Sequence, residues 1–229
     1  MIYIGLDDTD NAESRGTGRL ARMVATDLMV DFTLIGVTRH QLLVDPRVPY
    51  TSHNSSAAIC IQNRARIELG TLFERVKALM MSDFIAGSDP GLCIAKTPIS
   101  RQIGEFGQRA KADLVTQSEA HKLASEHNIL LEGLGGTQDG VIGALSAVGL
   151  AADGEDGRYL MVGNSRELTG LQPVVAVLAT GIVAIRTVDG LPVNKGLVLA
   201  DKLRPARRGA QPILFVEWME NHWQPVKMD

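Results

Sequence analysis

Residues 2–18 read IYIGLDDTDNAESRGTG, so an apolar run opens directly onto Asp7, Asp8 and Asp10. The run predicts a buried strand, and the acids follow at its carboxyl end, where ligands gather in α/β sheets. Three carboxylates within four residues repel each other and raise each other's pKa unless a cation or hydrogen bonds compensate. Mg²⁺ takes one or two carboxylates together with water and substrate phosphates. The stretch therefore predicts a magnesium–nucleotide site held by these aspartates.

The same acids have a structural alternative. Asp and Thr after a strand also form turns and N-caps, and a helix is predicted to begin near Gly18. A cap needs one oxygen, whereas this stretch supplies many, which favours a metal for the cluster as a whole. The D-x-D-x-[TV] signature of haloacid-dehalogenase-type phosphatases, read from Asp8, would require Thr or Val where Ala12 stands.

Length, charge and cysteines limit the class of protein. A chain of 229 residues forms one large domain or two closely packed subdomains. The net charge of -3 argues against general electrostatic attraction to nucleic acid but leaves a local basic face open. Cys60 and Cys93 lie in separate apolar runs and are expected to be buried thiols. Nothing resembles a signal peptide or a transmembrane segment, so we expect a cytoplasmic protein without a membrane partner.

Hydrophobic periodicity predicts the α+β class rather than a doubly wound sheet. A helix over 18–31 and a strand over 32–37, returning beside the first strand, give a β-α-β opening. The succession that follows suggests a ferredoxin-like half, and a β-rich part begins near residue 158. Further predicted strands are 57–62, 92–96, 129–132, 159–162, 181–188 and 212–218. Further helices are 67–81, 103–128 broken near Val115 with Thr116 or Ser118 as the second cap, and 141–151, while 171–178 is left as helix or strand.

Two loops carry further candidates. Residues 39–54 contain two prolines and cannot be regular throughout, and Arg39, Arg47 and His53 are candidates to face phosphate or substrate, although surface arginines are often only solvated. Residues 133–140 form a Gly-rich turn before a helix, which suits phosphate binding but lacks the Lys-Ser/Thr of a Walker A loop. Its glycines also have a purely steric explanation, with Asp139 as the N-cap. The basic run 202–209 is predicted to be a solvated loop, with an anion or RNA contact as the weaker alternative.

Four segments together carry a family resemblance: Gly5–Asp10 with Arg15 and Gly16 downstream, Asp45–Tyr50, Gly140–Gly149 and Gly209–Phe215. In order and spacing they resemble the archaeal tRNA-isoleucine agmatinylcytidine synthetase family, TiaS. The resemblance covers nearly all of this chain but only the catalytic half of the family. It implies a kinase-like domain packed with a ferredoxin-like α/β sandwich domain, without the OB-fold and zinc ribbon of the family. We expect two subdomains, about 1–130 with the acidic motif and ferredoxin-like elements, and 131–229 with the Gly-rich loop, a helix and the β-rich part.

The resemblance implies an enzyme that uses ATP and Mg²⁺ to phosphorylate a carbonyl acceptor, cytidine-like or other, so that an amine such as agmatine displaces the phosphate. Arg19 stands at the register of the family's phospho-accepting Thr, and Thr17 is the nearest hydroxyl. Residues 51–53 read TSH where the family favours a Lys-Thr-Arg-like run. The motifs and the resemblance together give three sets of candidates: Asp8, Asp10, Thr17 and Arg19 for catalysis; Asp7, Arg15, Gly16, Gly135, Gly136 and Gly140 for ATP; and Arg39, Arg47, Tyr50, His53, Asp89 and Asp139 for substrate.

Two other classes of function stay open. The chain is alternatively a non-catalytic module that binds a nucleotide or polyamine, or a metal-dependent phosphohydrolase that uses the same carboxylates. The partners expected are ATP and a small cationic amine of the agmatine type, with tRNA bound only weakly or through another protein. The sequence does not indicate an oligomeric state.

Overall fold

A computed structural model describes residues 1–9, 16–48, 54–63 and 66–228. The strands are β1 Ile2–Asp7, β2 Thr33–Gln41, β3 Ser55–Gln62, β4 Gly91–Lys96, β5 Leu130–Gly133, β6 Arg158–Met161, β7 Leu171–Pro173, β8 Ala184–Thr187, β9 Leu197–Leu199, β10 Ala206–Arg208, β11 Gln211–Met219 and β12 His222–Val226. The helices are α1 Thr17–Leu28, α2 Leu69–Ser82, α3 Arg101–Ala112, α4 Gln117–Glu126, α5 Gly140–Asp153 and α6 Val174–Leu178.

The first four strands and two helices follow the order β-α-β-β-α-β. Their strands lie in the order β4-β1-β3-β2, all antiparallel, and β5 and β6 extend this sheet on either side. The prediction that the strand after α1 lies beside β1 is wrong. It pairs instead with β3 and β6, because the crossover through α1 leaves one strand position free and β3 fills it antiparallel to both neighbours.

The two faces of this sheet are covered by different helices. Ile2, Ile4 and Leu6 of β1 point to the face where α1 and α2 pack. Tyr3 on the same strand points to the opposite face, which α3, α4 and α5 cover. This alternation is the period-two pattern of a strand that is buried on both sides. The mixed helix and sheet class predicted from the sequence is confirmed.

Helix α5 lies directly on β1. A Cβ atom added to Gly5 would lie 1.9 Å from the Ala144 carbonyl oxygen, so no larger residue allows this approach. The contact brings the first turn of α5 over the carboxyl end of β1, where the acidic residues begin. Gly5 thereby determines how closely α5 approaches the end of β1.

The β-rich part continues the sheet beyond β6 and encloses its own apolar core. The undecided segment 171–178 contains both β7 and α6. The prediction of a solvated loop over 202–209 is wrong at its centre, because Ala206–Arg208 is a strand and Arg207 is only 2% exposed. Two guanidinium nitrogens of Arg207 donate to the Ala151 carbonyl, at 3.0 and 2.7 Å, near the end of α5. A cation at a helix C-terminus satisfies carbonyl groups that the helix itself leaves without partners.

Several local predictions are confirmed. Thr116 caps α4 in a capping box with Glu119, which explains the break between α3 and α4. Both cysteines are buried. Within the described part of the chain, no helix is long and apolar enough to cross a membrane. The pairing of a kinase-like with a ferredoxin-like domain, and the division near residue 130, stay predictions.

Candidate functional site

A cleft of about 210 Å³ opens at the carboxyl end of β1. Its wall is formed by the end of β1, the first residues of α1 and α5, residues 110–115 at the end of α3, and the segments 42–48 and 54–55. It brings together six residues predicted from the sequence: Asp7, Asp8, Thr17, Arg47, Asp139 and Gly140. These residues are far apart in the chain, so the fold assembles the site.

Asp7 lies against the first turn of α5. A Cβ atom on Gly143 would be only 1.7 Å from the Asp7 carboxylate oxygen Oδ2, so a glycine is what admits the carboxylate. The partial positive charge at a helix N-terminus favours an ionised carboxylate. The Asp7 carboxylate therefore lies beside the N-terminal end of α5 at the edge of the cleft.

Asp8 turns the chain out of the strand. Its φ of 48° is in the left-handed region, which Asp tolerates better than most residues. Beyond it, the buried Thr9 hydroxyl contacts the Thr17 hydroxyl at 3.1 Å and so ties the turn to the start of α1. Gly16 is the N-cap of α1, with a φ of 80° that suits glycine. Two carboxylates and a hydroxyl thus face one cleft from β1 and α1.

The Gly-rich turn is organised by Asp89, whose carboxylate accepts hydrogen bonds from the Thr137 backbone nitrogen at 2.6 Å and hydroxyl at 2.7 Å. Gly135 and Gly136 lie in this turn, beside the cleft and not on its wall. Asp139 occupies the N-cap position of α5 without a side-chain cap bond. Its carboxylate instead accepts a hydrogen bond from Gln117 at 2.6 Å and lines the cleft.

The predicted arginines have different surroundings. Arg19 pairs with Asp83 at 3.3 Å and does not line the cleft. Arg39 on β2 donates to the Gln41 side chain at 3.0 Å. Arg47 lines the cleft, and its Nε and Nη2 donate to Asp45 at 2.8 Å each, which holds the pKa of Asp45 at about 2. The four remaining predicted site residues, Asp10, Arg15, Tyr50 and His53, lie outside the described residues.

One side of the cleft was not predicted from the sequence. Asp113 ends α3 and adds another carboxylate, while Leu114, Val115 and Ile142 form an apolar surface beside it. The available signal was weak, because a lone acid after a helix is a common solvated terminus. Only the packing of α3 against α5 brings this segment to the cleft.

A buried polar network joins β2, the end of α3 and the segment after α5. The His40 ring contacts Asp156 through Nδ1 at 2.9 Å and Thr38 through Nε2 at 2.8 Å, and Lys111 also bonds to Asp156. Burial lowers the pKa of His40, and the Asp156 carboxylate opposes this only in part. Burial would raise the pKa of Asp156, but the hydrogen bonds from His40 and Lys111 outweigh it and leave the pKa below its usual value.

The donor set suits magnesium. Among the described residues no cluster of three or more metal-binding side chains occurs, and of the three predicted ligands Asp7 and Asp8 are described. Two carboxylates that face an open cleft are what Mg²⁺ takes from a protein when phosphates and water complete its shell. The residues present therefore fit a magnesium–phosphate complex.

Comparison with solved structures identifies a shared fold. The chain is similar to a tRNA fluorescent labeling enzyme (TM-score 0.57, 22% identity, 65% of this chain and 35% of that one). It is similar to TiaS in complex with tRNA(Ile2) and ATP (TM-score 0.57, 22% identity, 65% and 36%) and with tRNA(Ile2), AMPCPP and agmatine (TM-score 0.55, 21% identity, 65% and 36%).

The matches cover 65% of this chain at 21–22% identity. No protein-family model and no curated protein sequence matches the chain. The chain spans about a third of the length of the solved structures it matches. At this identity the likeness shows the fold. The resemblance to TiaS predicted from the sequence is thereby confirmed by the fold, over 65% of this chain.

Proposed function

We propose that the chain is an ATP- and Mg²⁺-dependent tRNA-modifying enzyme of the synthetase type. The observation that carries the proposal is the convergence of Asp7, Asp8 and Thr17 in one cleft at the carboxyl end of β1. It is supported by the fold, which is shared with structures solved with ATP and with AMPCPP and agmatine. Carboxylates clustered at the mouth of a cleft serve function better than they serve stability.

The nucleotide phosphates would lie at the acidic end of the cleft. We assign Asp7 and Asp8, with Asp10, to the metal; bound Mg²⁺ would neutralise charge on the phosphates. We assign Gly16 and Gly140 to backbone contacts with phosphate at the first turns of α1 and α5; Gly140 also makes room for the Asp89 carbonyl oxygen, which would lie 2.1 Å from an added Cβ atom. Arg15, Gly135 and Gly136 are assigned to the same nucleotide. Phosphoryl transfer needs little beyond such positioning and charge neutralisation.

The reaction proposed has two steps. The carbonyl oxygen of the acceptor attacks a phosphorus atom of ATP, and the bond from that phosphorus to its bridging oxygen breaks. The amine nitrogen then attacks the activated carbon, phosphate leaves with the former carbonyl oxygen, and the nitrogen loses a proton. We assign Thr17 and Arg19 to the phosphoryl-transfer step. Thr17 is on the cleft wall, and Arg19 would have to leave Asp83 to take part.

The amine would occupy the other side of the cleft. Asp139 and Asp113 supply negative charge there, next to the apolar surface of Leu114, Val115 and Ile142. An alkyl chain with a cationic end, as in agmatine, matches both features. Asp89 supports this side through the Thr137 turn.

The RNA acceptor would enter from the 39–54 segment. We assign Arg39, Arg47, Tyr50 and His53 to contacts with it. Arg47 is on the cleft wall at the rim, where its side chain is 68% exposed. We also propose that residues 131–229, which contain the Gly-rich loop, α5 and the β-rich part, form a subdomain.

The substitution Asp8→Asn tests the assignment. It removes one charge from the metal site at nearly constant volume, so Mg-ATP turnover should fall by about three orders of magnitude while thermal unfolding is unchanged. Asp153→Asn, the same change at the opposite end of α5, is the matched control and should keep full turnover.

The measurement combines titration calorimetry of Mg-ATP, with and without agmatine, and phosphorus NMR of the products. Normal turnover by the Asp8→Asn variant would rule out the site. Phosphate release by the wild type without any amine or RNA would identify a phosphohydrolase, and Mg-ATP binding without turnover would identify a binding module.

A further inference from the structure

Three arginines from distant parts of the chain converge around Leu160 of β6. The Arg166 guanidinium donates to the Leu160 carbonyl at 3.2 Å. A Cβ atom on Gly18 would lie 2.9 Å from the Leu160 side chain and 3.7 Å from Nη1 of Arg22, so α1 brings Arg22 to the same place. Arg204 precedes Pro205, whose carbonyl accepts a hydrogen bond from the Tyr159 backbone at 2.7 Å, and it therefore lies across from Leu160.

The three arginines differ from other arginines in the described part of the chain. Among the described residues none of the three forms an ion pair with a carboxylate. Ion pairs are made instead by Arg19, Arg47, Arg75, Arg101 and Arg109. Arg22 and Arg204 are half-buried, where like charges without counter-charges are costly, and an anion would remove that cost.

Electrostatics agree with this geometry. Burial, together with the charges of Arg166, Arg22 and Arg158, lowers the pKa of Arg204 to about 10. Burial likewise lowers the pKa of Arg22, with added effects of Arg166 and Arg19. In a chain whose net charge is -3, this face is a local exception.

We propose that Arg22, Arg166 and Arg204 bind phosphate groups of the backbone of an RNA strand whose reactive nucleotide occupies the cleft. Guanidinium groups match phosphate oxygens in geometry and stay charged under desolvation. The identity of the strand as a substrate rests on the proposed function, whereas binding of an RNA backbone does not.

The position of the cluster favours a polynucleotide over the nucleotide cofactor. Leu160 is in β6, separated from β1 by β3 and β2. Three strand spacings correspond to about 14 Å. Every nucleotide of an RNA strand carries a phosphate, so a strand whose reactive nucleotide is in the cleft can place phosphates at the cluster several nucleotides away.

The test is the salt dependence of RNA binding. A fluorescein-labelled RNA hairpin with cytidine in its loop is titrated by anisotropy at salt concentrations between about 50 and about 200 mM. For the double variant Arg22→Gln, Arg204→Gln we expect binding about tenfold weaker, and a slope of log K against log salt that is smaller by about 1 per lost phosphate contact. The Kd for Mg-ATP should not change.

The matched control is Arg101→Gln. It removes one positive charge, half of what the double variant removes, from an arginine whose side chain is 91% exposed and paired with Glu105, and RNA binding should stay at the wild-type level. The thermal midpoint of the double variant should not fall below that of the wild type, because the substitutions relieve repulsion. A lower midpoint with unchanged RNA binding would show a structural role and overturn the proposal.

Two further results would contradict it. RNA affinity and salt slope equal to those of Arg101→Gln would show that the cluster does not contact RNA. If the double variant bound Mg-ATP more weakly but RNA equally well, the arginine cluster would bind the phosphates of ATP and not those of an RNA strand. The RNA titration requires neither ATP nor amine. It therefore tests RNA binding even if the wild type fails to consume Mg-ATP, and that failure is the result that would refute the proposed function.

Discussion

The substitution Gly143→Ala should reduce activity with little effect on thermal stability, and it does so without changing the net charge. The added Cβ atom would lie 1.7 Å from the Asp7 oxygen Oδ2, whereas ordinary contact begins at 3.4 Å, so the carboxylate must move by about 1.7 Å. A misplacement of about 1 Å at a catalytic centre costs about a hundredfold in rate. We therefore expect kcat/KM for Mg-ATP to fall by at least about a hundredfold, with no change in net charge.

The effect on folding should be small. Alanine is more favourable than glycine inside a helix by about 1 kcal/mol, but the added Cβ atom would also lie 2.9 Å from the Asp7 Cβ atom, which the backbone of β1 holds in place. These contributions oppose each other, so the thermal midpoint should stay within a few degrees of the wild type. On the same sample, calorimetry measures the binding of Mg-ATP, phosphate release measures its turnover, and a thermal melt measures the midpoint of unfolding.

Gly70→Ala provides the control. Gly70 is in α2 with no atom within 4 Å of an added Cβ, so the same change should leave Mg-ATP turnover intact and raise the thermal midpoint by about 2–4 °C. If Gly143→Ala binds and consumes Mg-ATP like Gly70→Ala, the position of Asp7 against α5 does not matter for activity, and the assignment of Asp7 is wrong.

Two other predictions concern the buried polar groups. Arg207→Met keeps volume but leaves the Ala151 carbonyl and the Tyr159 hydroxyl without this donor, so urea denaturation should show a loss of about 3 kcal/mol; a loss below about 0.5 kcal/mol would contradict the capping role. Burial lowers the pKa of His40 in the folded protein below 6.5. As the pH falls, His40 therefore takes up a proton at a higher pH in the unfolded chain than in the folded protein. The free energy of unfolding should therefore decrease as pH falls below about 6.5, by up to about 1.4 kcal/mol per pH unit. This dependence should disappear in His40→Gln and persist in a variant of the exposed His121; an unchanged slope in His40→Gln would refute it.

The sequence predicted those elements whose signals are local. The strand 2–7 could be recognised from a continuous apolar run that ends in acids, and Thr116 from a capping box with Glu119. The acidic and Gly-rich motifs contain Asp7, Asp8, Gly140 and Asp139, which the structure places on the cleft wall; their roles stay predictions. Each of these signals lies within a few residues of the structure it specifies, so no tertiary information was needed.

Other features depend on contacts between distant segments. The basic run 202–209 has the composition of a solvated turn, yet Arg207 is buried because the carbonyls at the end of α5 need its donors. Asp113 gave no local signal and enters the cleft only through the packing of α3 on α5. The Arg22, Arg166 and Arg204 cluster is likewise invisible in a linear chain.

What the sequence alone determined is the α+β class, the acidic end of the first strand and the resemblance to TiaS, because hydrophobic period and short motifs are properties of neighbouring residues. What only the tertiary structure decided is which strand lies beside β1, how closely α5 approaches it through Gly5 and Gly143, and which charges meet across the fold. Those outcomes depend on volumes and charges of residues far apart in the chain, and only packing brings them within contact distance.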